Sequence, residues 1–93
     1  MNNERLSQLR TEIDAIDTEL AVLFERRMNI VSEVALIKQA AGLPIYDPSR
    51  EDIVVAQGRA RVSLEYADAM EQFLRELMRL SKERQEELTN SVE

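Results

Sequence analysis

The chain has 93 residues, 44% hydrophobic and 32% charged, with a net charge of −6, two glycines, two prolines and neither cysteine nor histidine. That composition fits one domain with a modest core and excludes disulfides, thiolate metal sites and the usual zinc ligand and general base. The acidic balance argues against a nucleic-acid surface, though not against a small anion held in a local cationic pocket.

The opening residues, MNNERLSQLR, lack the basic-then-apolar layout of a signal peptide, and a cytoplasmic protein is expected. No apolar run approaches the roughly 18 residues of a membrane span, so no membrane partner is expected. From about residue 4 to 40 there is no glycine or proline. Within that stretch Leu6, Leu9, Ile13, Ile16, Leu20, Leu23, Arg27, Ile30, Val34 and Ile37 follow one another in alternating steps of three and four. This is a helical seam of heptad type, interrupted only by Arg27. Asn2 or Asn3 is a candidate cap at its start, and Gly42 a stop. Arg26, the neighbour of Arg27, is rotated about 100° away toward a flank.

GLPIYDPSRED reads as a loop. In it Asp47 is placed to cap a second helix that has Pro48 at its first position. The second helix is expected over about 48–61, with Ile53, Ala56 and Ala60 on one face and Gly58 accepted for close packing. A third helix is expected over about 64–88, after a break near RVSLEY where Ser63 is a candidate cap. Its apolar face is Met70, Phe73, Leu74, Leu77 and Met78, and the same spacing continues to Ser81, Gln85 and Leu88. The fold class is therefore all-α, with one long and two shorter helices in a single domain over 1–93. A first helix of this length spans roughly 50 Å or more. A compact domain of this size has a radius of gyration of about 12 Å. Two short helices cannot cover such a seam, and an obligate homodimer with the long helices packed together is expected.

Three polar residues interrupt the apolar stripes: Arg27, Ser81 and Gln85. An isolated buried guanidinium is too costly to persist, so Arg27 must find an acidic partner, reach solvent or face a polar cavity. Taken singly, Ser81 reads as a hydroxyl bonded back to its own helix and Gln85 as a surface residue near a helix end. Together the three fit a polar pocket within a helical bundle. Lys38 lies eleven residues, or about three turns and roughly 16 Å, beyond Arg27 on the same side of the helix. Two cations at that separation suit an anionic ligand of ring size. Alone, Lys38 reads as a solvated lysine near a helix C-terminus. Arg10 is roughly 25 Å from Arg27 and would reach such a pocket only from a partner chain in an antiparallel dimer.

LRTEIDAIDTEL, ERRMNIVSEVALIK, GLPIYDPSRE and SKERQ resemble the all-helical AroQ class of chorismate mutases over about residues 5 to 88. The resemblance rests on Arg10, Arg27, Lys38, the Asp47-to-Glu51 stretch, Ser81 and Gln85, in that order. It implies an intertwined antiparallel homodimer of three-helix chains that binds chorismate and needs no cofactor or metal. Arg27 and a partner chain's Arg10 would hold the two carboxylates. Lys38 and Gln85 would contact the ether oxygen, Lys38 also lying near a carboxylate. Glu51 would accept from the ring hydroxyl, assisted by Arg50 and by backbone near Asp47, and Ser81 would complete the carboxylate contacts.

The chemistry suits a chain without histidine or cysteine. Chorismate becomes prephenate by an intramolecular pericyclic rearrangement in which no proton need move. The catalyst selects a compact conformer of a flexible dianion and stabilises charge growing on the ether oxygen. An isochorismate-pyruvate lyase on the same scaffold is the nearest alternative. DPSRE, with Glu51 available for the ring hydroxyl, favours the mutase. A non-catalytic helical dimerisation module would use the seam but leaves Lys38, Ser81 and Gln85 together unexplained. The polar end ELTNSVE leads to the expectation of a stand-alone enzyme rather than a domain of a fusion.

Overall fold

The computed structural model describes residues 2–90. The chain forms α1 (Asn2–Ala41), α2 (Pro48–Ala60), a 3-10 turn (Leu64–Tyr66) and α3 (Ala67–Asn90), with no strand among the described residues. None of the described helices is long and apolar enough to cross a membrane.

α1 runs for 40 residues, with Glu4 in its first turn and Lys38 in its last, each charge favourable to the helix dipole. The helix is already under way at Asn2, so neither Asn2 nor Asn3 precedes it as the expected cap. Its end is set by Gly42, whose φ of 68° is open to glycine without steric cost. The Leu43 N–H donates to the Lys38 carbonyl at 2.8 Å and the Gly42 N–H to that of Gln39 at 3.3 Å, the paired bonds of a Schellman cap.

Asp47 caps α2: its Oδ1 accepts from the Arg50 N–H at 3.1 Å, and Pro48 follows at the position where a missing N–H does no harm. The buried face of α2 is not the one expected. Val55 and Gly58 are buried and Glu51 is half-buried, while Ile53 is 49% exposed and Ala56 and Ala60 are exposed. The reason lies at Gly58, where a Cβ would overlap Leu74 Cδ1 and stand 3.5 Å from Met70 Cγ. α3 packs against that bare stretch of backbone and so fixes which side of α2 faces inward.

Ser63 separates the last two helices through its extended backbone (φ −65°, ψ 155°), without a side-chain cap. One 3-10 turn follows before α3 begins at Ala67, three residues later than the spacing suggested. Along α3, Ala67, Met78, Ser81 and Gln85 are buried and Met70, Leu74 and Leu77 half-buried. Phe73 is exposed, because the line toward Gly58 runs through Met70 and Leu74. Ion pairs reinforce this packing. Arg59 of α2 reaches Asp68 at 2.8 Å and Glu71 at 3.0 Å, and Arg75 reaches Glu71 at 2.7 Å. The hydrogen bond from Arg75, together with the charge of Arg59, holds the Glu71 carboxyl below the usual range.

The chain divides into two compact units, one up to Ile30 and one from Val31 onward. The first is helical throughout, and its seam residues Leu6, Leu9, Ile13, Ile16, Leu20 and Leu23 are all exposed. In the second, the end of α1 joins α2 and α3. Ala35 is fully buried there, and Val31, Ser32 and Lys38 are half-buried. The Arg84 guanidinium of α3 donates to Ser32 Oγ at 3.3 Å. The inward line is therefore 31–35–38, about 100° from the seam positions Val34 and Ile37. Ile37 remains 66% exposed. Within this unit the seam positions Val34 and Ile37 therefore face away from the core.

Candidate active site

Ser81 and Gln85 lie one turn apart on the inner line of α3, each 6% exposed, and are the buried polar residues among those described. The Ser81 hydroxyl donates to the Leu77 carbonyl at 2.7 Å, the local back-bond anticipated for a helical serine. Gln85 is no surface residue. Its Oε1 is buried and has no hydrogen-bond partner among the described residues. An unsatisfied buried amide costs about 1–3 kcal/mol. Because the terminal torsion is roughly two-fold, the amide can present either its oxygen or its NH2 in the same place.

Lys38 sits in the same unit at the end of α1. Its Nζ donates to the Ile45 carbonyl at 2.9 Å in a half-buried setting, so it is not the freely solvated lysine of the simpler reading. An ammonium has three donors, and this bond uses one. The Lys38 backbone also accepts from Leu43, so one residue ties down the loop through both its main chain and its side chain.

Glu51, in the first turn of α2, is paired with Lys82 of α3 at 2.8 Å, the two side chains being 18% and 31% exposed. The Lys82 ammonium also stands 4.7 Å from the centre of the Tyr46 ring, within cation–π range. Lys82 was not singled out in the sequence. The available signal was its place four residues after Met78, on the edge of the α3 stripe and next to Ser81. Asp47 is exposed, and its carboxylate serves the α2 cap. The side chain of Arg50 is exposed, and its backbone N–H serves the same cap. Arg10 and Arg27 belong to the first unit, where Arg10 is exposed and Arg27 half-buried.

The second unit thus contains a lysine, a buried hydroxyl, a buried amide and a partly buried, ion-paired carboxylate. It offers the Lys38 ammonium as a charged donor, the Gln85 amide as donor or acceptor, and the Ser81 oxygen and Glu51 carboxylate as acceptors. A groove at the start of α3, lined by Asp68, Glu71, Gln72 and Arg75, coincides with the ion-pair cluster already described rather than with this group.

The profile of the family described as chorismate mutase type II matches residues 9–86, a range that contains every candidate from Arg10 to Gln85. A T-protein from Haemophilus influenzae is 46% identical over 82 residues, covering 84% of this chain and 21% of the T-protein. A T-protein from Enterobacter agglomerans is 38% identical over 78 residues, covering 82% of this chain and 21% of that protein. A chorismate mutase from Methanocaldococcus jannaschii is 39% identical over 51 residues, covering 55% of this chain and 52% of that protein. The chain therefore spans about a fifth of the T-proteins and about half of the Methanocaldococcus protein. No solved structure matches it. The all-α architecture, the buried polar residues of α3 and the match over 9–86 agree: this chain belongs to the chorismate mutase type II family.

Proposed function

We propose that this chain catalyses the rearrangement of chorismate to prephenate in aromatic amino-acid biosynthesis, without a cofactor. The observation that carries the reading is the Gln85 Oε1, buried without a partner on α3 in the unit that also holds Lys38 and Ser81. A protein interior rarely keeps an orphan amide unless a ligand or water completes it. Turned about its terminal torsion the amide sets its NH2 at that place, and a neutral donor there suits an ether oxygen that gains negative charge as its C–O bond stretches. Lys38 supplies a charged donor for the same oxygen, its Nζ held by the Ile45 carbonyl. Glu51 accepts from the ring hydroxyl, and Ser81 contributes to a carboxylate. Arg27 and the partner subunit's Arg10 hold the carboxylates, as the family resemblance implies. Asp47 acts mainly by capping the α2 start, accepting from the Arg50 backbone N–H, and Arg50 and the backbone near Asp47 assist Glu51.

The catalytic work is conformer selection and charge stabilisation. Holding both carboxylates of a flexible dianion fixes the chair-like geometry in which the reacting carbons meet. Lys38 and Gln85 then favour the stretched C–O bond over the ground state, which raises turnover rather than affinity alone. Nothing in this step needs a proton donor.

The proposal includes a single domain over 1–93 that forms an intertwined antiparallel homodimer in the cytoplasm. The exposed seam of α1 supports the dimer, since an uncovered apolar stripe of this extent is unusual on a monomer. Incubation with chorismate, with product identification by NMR, tests the activity. Prephenate is expected, and unchanged chorismate refutes it. Sedimentation at micromolar concentration tests the dimer, and a folded monomer refutes that part.

A further inference from the structure

We infer that Lys82 is a positioning residue, which aims Glu51 and neutralises it beside a dianionic substrate. The inference rests on the mutase reading and extends it to a residue outside the group identified from the sequence.

Glu51 raises a physical difficulty in that reading. A carboxylate that accepts from the ring hydroxyl stands close to a ligand carrying two negative charges, and like charges in a partly dry site repel strongly. The structure answers the difficulty. Lys82 Nζ lies 2.8 Å from Glu51 Oε2, and both side chains are largely shielded from solvent. The ammonium cancels the carboxylate charge and uses one of its oxygens, leaving Oε1 to accept from a hydroxyl. The lysine is itself fixed from a second side by the Tyr46 ring, 4.7 Å from Nζ. It therefore joins three elements: α3, the first turn of α2 and the loop before it.

The loop is held from both ends of the site. Lys38 of α1 takes the Ile45 carbonyl, and Lys82 of α3 lies over the adjacent Tyr46 ring. The two lysines differ in what remains to them. Lys38 has a neutral acceptor and keeps its full charge for a ligand. Lys82 is paired with a carboxylate, so its charge is already matched and it acts on the substrate through Glu51. A bond to the ring hydroxyl exists before and during the rearrangement, so its loss affects binding more than turnover.

The test is a double-mutant cycle on the full chain, with kcat and KM for chorismate measured for wild type, Lys82→Met, Glu51→Gln and the double variant. Lys82→Met is expected to lower kcat/KM by about tenfold, mostly through KM, since misplacement of a contacting group costs up to about a hundredfold. Lys82→Arg is expected to restore most of the loss. In the Glu51→Gln background, Lys82→Met is expected to change kcat/KM by less than about twofold, because no charge remains to be aimed or cancelled. Equal losses with and without the Glu51→Gln substitution would show a role independent of Glu51 and overturn the inference. So would an unchanged kcat/KM in Lys82→Met. Lys82→Gln carries the same comparison if Lys82→Met does not fold. A wild-type chain that leaves chorismate unchanged overturns the mutase reading and this inference with it, an outcome distinct from an active wild type with an inert Lys82.

Discussion

Replacing Lys38 by methionine separates the loop contact of this side chain from the catalytic role proposed for it. Methionine keeps an unbranched apolar stem and removes the ammonium. The stability cost comes from a single half-buried hydrogen bond, Nζ to the Ile45 carbonyl at 2.9 Å, since the Schellman bond to the Lys38 carbonyl is main-chain and survives. Such a bond contributes about 1 kcal/mol, which for a domain of this size lowers Tm by about 4–8 °C. The kinetic cost is of a different order. Removing one preorganised donor from a developing negative charge lowers turnover by about 10²–10³-fold, or about 2.7–4 kcal/mol. A protein that remains folded at 25 °C cannot lose that much rate through a loop that is about 1 kcal/mol weaker. The assay follows the disappearance of chorismate at saturating substrate, alongside thermal melting by circular dichroism. A folded Lys38→Met with kcat within about fivefold of wild type would refute the assignment of Lys38 to the ether oxygen.

Gln85→Leu should raise Tm by several degrees, because it removes a buried amide oxygen without a partner, worth about 1–3 kcal/mol, while turnover falls by about a hundredfold; a lower Tm would show that the oxygen is satisfied in solution. Gln85→Glu should shift the pH profile of kcat toward acid, since a carboxyl donates only when protonated, and an unchanged profile would remove residue 85 from the ether oxygen. Mixing Arg10→Ala and Lys38→Ala chains should restore one intact site per heterodimer; no recovery after demonstrated subunit exchange would refute the shared site.

The helical class was written in the sequence because spacing carries it. A stretch of nearly forty residues without glycine or proline, Gly42 at its end and the Asp47–Pro48 pair each act through local backbone chemistry, and each does so in the structure. Which face turns inward was less legible. On α2 the inward side is set by a residue without a side chain, Gly58, so a search for apolar periodicity settled on Ile53, Ala56 and Ala60 instead. On α1 the most regular apolar stripe is the one left exposed, while the buried line passes through the small residues Ser32 and Ala35. A heptad seam reports where a helix wants a partner, and at Val34 and Ile37 that line is not the one turned toward the core of the second unit.

Among the candidate residues, Ser81 and Gln85 were found because they break a stripe, and both are buried. Lys82 was missed for the converse reason. A lysine beside a stripe looks like a solvated flank, and only the fold brings it to Glu51, thirty-one positions earlier in the chain. Asp47 shows a different limit. Its carboxylate is occupied as a helix cap, a role equally visible in DPSRE.

Lys38 and Gln85 are proposed to meet the ether oxygen of chorismate in the unit that holds the end of α1 with α2 and α3. A crystal structure with a bicyclic dicarboxylate analogue of the transition state tests it most directly. The analogue's ether oxygen is expected within about 3.2 Å of both Lys38 Nζ and the Gln85 amide nitrogen. An analogue bound elsewhere, or bound here with that oxygen contacting neither residue, would contradict it.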